Sequence, residues 1–227
     1  MNGNDLTGIL HRSKHIMFDF DGPVCSVFSG RPAPGVADRL RKLVQTAAAL
    51  PADLEEASDP MLFLYAAPLL PAALGEQVRQ QFHAEELAAV EVAEPTRGAH
   101  AAIAACFRSG KMVTVVSNNG ASAVEAYLRR HGLARYVSYV SARRSPDPNL
   151  LKPSPYLLVA AIEATGQNPE QSVLIGDSVT DIDAARAAGS ASIGYANKPG
   201  KRESLNAAGA DVIVTDMNDI VHSLLKP

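Results

Sequence analysis

Two carboxylates one residue apart, Asp19 and Asp21, leave the apolar run of "HIMFDFDG" and are followed at once by Gly22 and Pro23. In an extended chain residues i and i+2 face the same way, so the two acids converge. Side by side they repel unless a cation or a shared proton offsets the charge. The plainer alternative is a strand end closed by solvated acids beside a Gly-Pro turn. A second acidic pair, Asp177 and Asp181, sits in "VLIGDSVTD". Helix capping accounts for one acid at such a place and does not call for two. A hard dication does: Mg²⁺ takes one or two carboxylates, keeps several waters and leaves room for phosphate oxygens. Asp183, further into the helix, reads as a solvated or dipole-facing residue. "VVSNNG" ends an apolar run in Ser117, Asn118 and Asn119. A hydroxyl beside the N–H groups of a helix start makes an anion cradle, although the same text suits an ordinary N-cap. In "LLKPSPYLL", Lys152 precedes a helix start with Ser154 as N-cap and Pro155 at the first helical position. Alone it reads as a surface charge; beside three or four carboxylates it is the firm cation that can reach them.

These residues need elements to bring them together. Apolar, β-rich runs occur at 15–19, 112–117, 136–140, 172–176, 191–195 and 211–214, with helically spaced Ala-rich segments at 96–109, 120–130, 154–164 and 180–188. Strands spaced by helices predict βα units: an α/β fold with a Rossmann-like parallel sheet sandwiched by helices. Open sheets of this kind place ligands at the carboxyl ends of their strands, where Asp19, Ser117 and Asp177 all fall. The rhythm breaks over 26–94, which is Ala/Leu/Glu-rich helical text with scattered prolines. It reads as a helical insertion in a core made of 1–25 and 95–227.

Composition narrows the classes. The 227 residues are 47% apolar with a net charge of −3, enough for one full core plus an inserted unit and without a basic field for nucleic acid or a membrane surface. Cys25 and Cys106 form no CxxC pair, and the N-terminal text lacks a signal-peptide apolar stretch. No run approaches the ~18 apolar residues of a membrane span. The expectation is a soluble, cytoplasmic protein. The six histidines show no ligand spacing and no dinucleotide or P-loop fingerprint occurs.

"DFDG", "VVSNN", "KPSP" and "GDSVTD", in that order, resemble the four motifs of the haloacid dehalogenase-like (HAD) hydrolase superfamily. The position of the insertion and the stretch "NKPGKRESLNAAGADVIVTDMNDI" are similar to its phosphoglycolate-phosphatase-like branch, whose insertion is a helical C1 cap. The resemblance implies a Mg²⁺-dependent phosphatase acting on a small phosphorylated metabolite, with an HAD-like core and a cap over 26–94. It implies Asp19 as nucleophile, forming an aspartyl-phosphate, and Asp21 as general acid and then base. Ser117 and the Asn118 amide would bind phosphoryl oxygens, with Gly22 also at the substrate, and Lys152 would neutralise charge on nucleophile and phosphoryl group. Asp19, the main-chain oxygen of Asp21 and Asp177 would hold Mg²⁺, while Asp181 would steady the metal or Lys152. Arg31, in the Pro-rich segment after the first motif, is the candidate for an acidic group on the substrate; Arg143 and Arg144 are further cations near Lys152.

One position departs from the resemblance. The family usually carries Thr after DxDG, where this chain has Pro23. Proline has no side-chain donor and no N–H to hold the second aspartate, so slower protonation of the leaving group is expected. Asp21 itself argues against halide expulsion, which needs no acid. Two alternatives remain: a phosphomutase of the same cap class, and a catalytically weak binding or regulatory protein. The expected assembly is a monomer or homodimer.

Overall fold

The computed structural model describes residues 5–145 and 147–225. After helix α1 (Leu6–Arg12) the chain runs through β1 (His15–Phe18) and β2 (Cys25–Ser26), then α2 (Ala33–Gln45), α3 (Ala52–Glu55), α4 (Met61–Ala66) and α5 (Ala72–Glu91). It continues through β3 (Glu94–Pro95), α6 (Ala99–Arg108), β4 (Met112–Gly120), α7 (Ala121–Arg130), β5 (Tyr139–Arg143), α8 (Tyr156–Thr165) and β6 (Ser172–Gly176). Helix α9 (Val179–Ala187), β7 (Ala191–Tyr195), α10 (Lys201–Ala208), β8 (Val212–Val214) and α11 (Asn218–Leu224) complete it. The chain divides into two compact units: 1–26, 95–144 and 149–227 form the first, and 27–94 with 145–148 the second.

In the first unit six strands form one sheet in the order β5-β4-β1-β6-β7-β8, and every pairing is parallel. The α/β fold expected from the alternating runs is therefore present. Central strands buried on both faces need apolar side chains throughout, and β1 and β6 are buried at every position. Because all strands point one way, their carboxyl ends open along one edge.

His15 is the ionisable side chain within β1 and β6. It is fully buried, and its ring nitrogens lie 3.1 Å from Ser172 Oγ on β6 and 2.9 Å from Thr114 Oγ1 on β4. One imidazole thus ties β1 to both neighbours.

Three boundaries differ from the sequence expectation. β5 starts at Tyr139 and runs through Arg143, three residues later than the apolar text of 136–140 suggests. Residues Ala134–Tyr136 instead form a 3-10 turn, with the Tyr136 ring against Phe107 and under the Arg135 guanidinium. β4 continues to Gly120, past its expected end at 117, with a register shift against β5 between Ser117 and Gly120. Helix α8 begins at Tyr156 with Pro155 as its cap; Ser154 closes a turn onto Leu151 O and its hydroxyl is 3.4 Å from Tyr156 N. Among helices the periodicity did not single out, α1 packs on α11, and α11 on α6.

The second unit is helical. Val36, Leu40 and Val44 of α2, Phe63 and Leu64 of α4, and Leu74, Val78 and Phe82 of α5 are buried. Glu85 of α5 is buried among them and held by Arg31 Nε (2.5 Å), Arg39 Nε and Nη2 (2.7 Å each) and Gln81 Nε2 (3.0 Å). The Arg39 bonds chiefly, against burial and helped by Arg31 and Gln81, lower the Glu85 pKa to about 2.

Burial lowers the His15 pKa from 6.5 to about 4. The folded state then binds fewer protons than the unfolded chain between those values, so stability drops as pH falls through that window, by up to about 3 kcal/mol. The urea midpoint should decline from pH 7 to 4.5, and His15→Gln, which cannot charge, should flatten the decline. An equal slope in wild type and variant would contradict the assignment.

Candidate active site

The carboxyl ends of β1, β4 and β6, with the loop before α8, converge on Lys152. Its Nζ donates to Asp19 Oδ1 at 2.7 Å and to Asp181 Oδ1 at 2.5 Å, with Val116 O at 3.4 Å. The Lys152 side chain is 3% exposed and those of Asp19 and Asp181 10% and 0%. Burial alone would lower the lysine pKa, but Asp181 and Asp19 hold it above its ordinary value. A buried ammonium between two carboxylates is stabilised as the charged form. Burial and the neighbouring Asp181 and Asp177 push Asp19 upward, with Lys152 opposing them.

Each side chain is placed by local chain geometry. Asp19 continues the β1–β6 ladder through its N–H to Ile175 O (2.8 Å), and its Oδ1 also accepts from Phe20 N (2.8 Å). Among the described residues no hydrogen bond reaches Oδ2, the oxygen left for a ligand. The chain then turns sharply: Val24 and Cys25 N–H return to Phe20 O, Gly22 N donates to Cys25 O (2.7 Å), and Thr96 Oγ1 closes on Gly22 O (2.5 Å). Gly22 has a φ of +106°, and a Cβ there would lie 2.5 Å from Asp177 Cγ. Glycine is required twice over, by conformation and by space.

Asp181 does two jobs. Ser178 and Asp181 form a reciprocal capping box at the start of α9, with Ser178 N (3.0 Å) and Oγ (2.6 Å) donating to Asp181 Oδ2. Its other oxygen takes Lys152. The helix cap and the lysine contact therefore share one carboxylate. Gly176 makes this fit, since a Cβ there would overlap Asp181 Cβ and Cγ.

Ser117 is buried; its Oγ donates to Asn119 Oδ1 and accepts from Asn119 N, each at 3.1 Å. The Asn118 side chain, which sequence reasoning left without a task, clasps the lysine segment: Lys152 N donates to its Oδ1 (2.8 Å) and its Nδ2 donates to Lys152 O (3.1 Å). Arg143 Nε in turn donates to Asn118 O (3.1 Å), and Arg144 pairs with Glu125. The register shift in β4 lets residues 118 and 119 project this way.

Asp177 lies beside the cluster. Its Oδ2 accepts from Lys201 Nζ (2.8 Å) and Asn197 Nδ2 (3.1 Å), and Lys201 Nζ also donates to its main-chain oxygen. Neither Lys201 nor Asn197 was singled out from the sequence, although Asn197 follows β7 at the same sheet end as the other site residues. Asp183 pairs with Arg186 on α9. Arg31 lies in the second unit on Glu85.

One carboxylate oxygen from each of Asp19, Asp177 and Asp181 lies within 4.8 Å of the others. The Asp21 carboxylate is not in this group; Asp21 bridges to Cys25 through its backbone. Asn197 Oδ1 is buried with no hydrogen-bond partner among the described residues. An all-oxygen, multiply anionic donor set with an unmatched acceptor at its side suits a hydrated hard dication.

The chain belongs to the haloacid dehalogenase-like hydrolase family, whose profile matches residues 13–189. Phosphoglycolate phosphatase from Salmonella paratyphi A is 33% identical over 125 residues, covering 55% of this chain and 49% of that protein. The Escherichia coli K12 enzyme of the same name is 33% identical over 118 residues, 52% of this chain and 46% of that protein. The match thus spans about half the length of these curated relatives. The fold is shared with a predicted phosphatase from Clostridium acetobutylicum (TM-score 0.72, 18% identity, 94% of this chain and 98% of the other). A predicted phosphoglycolate phosphatase from Haemophilus somnus aligns with TM-score 0.67 at 22% identity over 93% and 97% of the two chains.

Gly176→Ala should lower stability by about 1–3 kcal/mol, the cost of overpacking against the capping acid. A urea melt reads this directly, and an unchanged midpoint would show that Asp181 is not held against that glycine.

Proposed function

We propose that this chain hydrolyses a small phosphate monoester through an aspartyl-phosphate on Asp19. The observation that carries this reading is the buried Asp19–Lys152–Asp181 array, which leaves Asp19 Oδ2 without a hydrogen bond among the described residues while Oδ1 is held by Lys152 and the Phe20 amide. An attacking oxygen must be oriented and its charge balanced, and this arrangement does both.

The steps follow from the residues. Asp19 Oδ2 attacks phosphorus in line with the ester oxygen, and the P–O bond to the leaving group breaks. Asp21 protonates the departing alkoxide, then takes a proton from the water that attacks the aspartyl-phosphate, releasing inorganic phosphate and restoring Asp19. Lys152 stays charged throughout and balances the phosphoryl oxygens. Ser117 turns its hydroxyl proton from Asn119 to a phosphoryl oxygen, beside the Asn118 amide. Asp19, Asp177 and the main-chain oxygen of Asp21 would hold Mg²⁺, which when bound supplies positive charge to the phosphoryl oxygens. Asp181 serves Lys152. Gly22, read from the sequence as substrate-binding, also leaves the space that Asp177 fills.

The helical unit over 27–94 is assigned the role of a C1-type cap, with Arg31 contacting an acidic group of the substrate; the named activity of the phosphoglycolate phosphatase relatives favours a small phosphate ester that carries a second anionic group. Among the described residues no helix is long and apolar enough to cross a membrane. Cys25 and Cys106 are buried free thiols, which suits a cytoplasmic setting.

A panel of phosphate metabolites assayed for phosphate release should reveal at least one substrate; chelation should remove turnover and Mg²⁺ restore it. Asp19→Asn should lose at least about 10³-fold in kcat. Isomer formation without phosphate would favour a mutase, and no metal-dependent turnover on any ester would favour a binding protein. Pro23→Thr should raise turnover on alkyl esters more than on p-nitrophenyl phosphate, whose leaving group needs little protonation. Equal effects on both would separate Pro23 from the acid step.

A further inference from the structure

We propose that Lys201 sets the divalent-cation affinity of the Asp19–Asp177–Asp181 cluster and couples it to the arrival of an anionic ligand. The proposal rests on the reading of this site as a metal-dependent phosphatase centre. Lys201 is the first residue of α10, and its Nζ reaches both the main-chain oxygen and Oδ2 of Asp177, the latter at 2.8 Å. Asn197 Nδ2 supports the same oxygen. The Lys201 and Asp177 side chains are 28% and 14% exposed, so solvent screens the pair incompletely.

The charge balance gives the consequence. Three clustered carboxylates carry −3 and face two ammoniums, Lys152 on Asp19 and Asp181 and Lys201 on Asp177, for a net −1. With Lys201 in place a dication leaves the site one charge more positive than without it, which disfavours the metal alone and favours a phosphate dianion arriving with it. Without Lys201 the cluster starts at −2, and the dication alone brings it to zero. Asp21 lies outside the cluster and contributes equally with and without Lys201, so it drops out of the comparison. Lys201 thus weakens the empty site for metal and makes loading depend on the anion, a reciprocal coupling between two ligands.

Mn²⁺ binding to the full chain, followed by electron paramagnetic resonance with and without inorganic phosphate, tests this without any assay of turnover. Wild type should bind Mn²⁺ weakly alone and several-fold more tightly with phosphate. Lys201→Met should bind Mn²⁺ alone roughly tenfold more tightly and gain less from phosphate. Lys201→Gln gives a second neutral side chain, with circular dichroism showing that each variant is folded. Lys198→Met removes a nearby exposed lysine and should behave as wild type. Unchanged or weaker Mn²⁺ binding in both Lys201 variants, or an undiminished phosphate effect, would overturn the proposal while leaving the metal site standing. No Mn²⁺ binding in wild type or any variant would remove the metal-dependent reading along with it.

Discussion

The site depends on one ammonium group held out of water between two carboxylates. Removing an ion from water is expensive, and the Lys152 triad repays that cost through short, charge-assisted contacts on both sides. Everything around it enforces those contacts. The Asn118 carboxamide fixes the lysine backbone by both its N–H and its C=O, the capping box fixes Asp181, and the β1–β6 ladder fixes Asp19. A flexible lysine has four rotatable bonds to lose, so anchoring its main chain as well as its tip removes the disorder that would blur the site.

A parallel sheet explains why residues so far apart in sequence meet. Asp19 and Asp177 each follow the end of a strand, Ser117 lies near the carboxyl end of β4, and β4, β1 and β6 are adjacent in the sheet. Their spacing is set by backbone ladders rather than by side-chain packing, which is why loops can carry the charges. The interior tolerates this crowd because the acids meet lysines: Lys152 for Asp19 and Asp181, Lys201 for Asp177.

Much of this was legible in the text. Acids after two apolar runs and a lysine before a helix start pointed to Asp19, Asp177, Asp181 and Lys152, which the structure brings together, because the apolar runs and helical patterns were clear on either side of them. What stayed hidden depended on pairing rather than pattern. The β5 start could not be read because Tyr136 and Val137 look like strand but the tyrosine ring is taken by Phe107 and Arg135. Asn118 showed an amide for a ligand, not a side chain for Lys152, since that bond joins residues 34 apart. Lys201 was one cation among 21 Lys and Arg, and nothing local distinguishes it until α10 is placed beside Asp177. Arg31 was a ligand candidate by its proximity in sequence, and the structure adds a partner that the text does not show, Glu85.

The shared carboxylate of Asp181 has a further consequence. One oxygen starts a helix and the other orders the lysine, so the integrity of α9 and the readiness of the charged centre rise and fall together. Damage at this position would loosen the start of α9 and the contact that orders Lys152 in the same molecule.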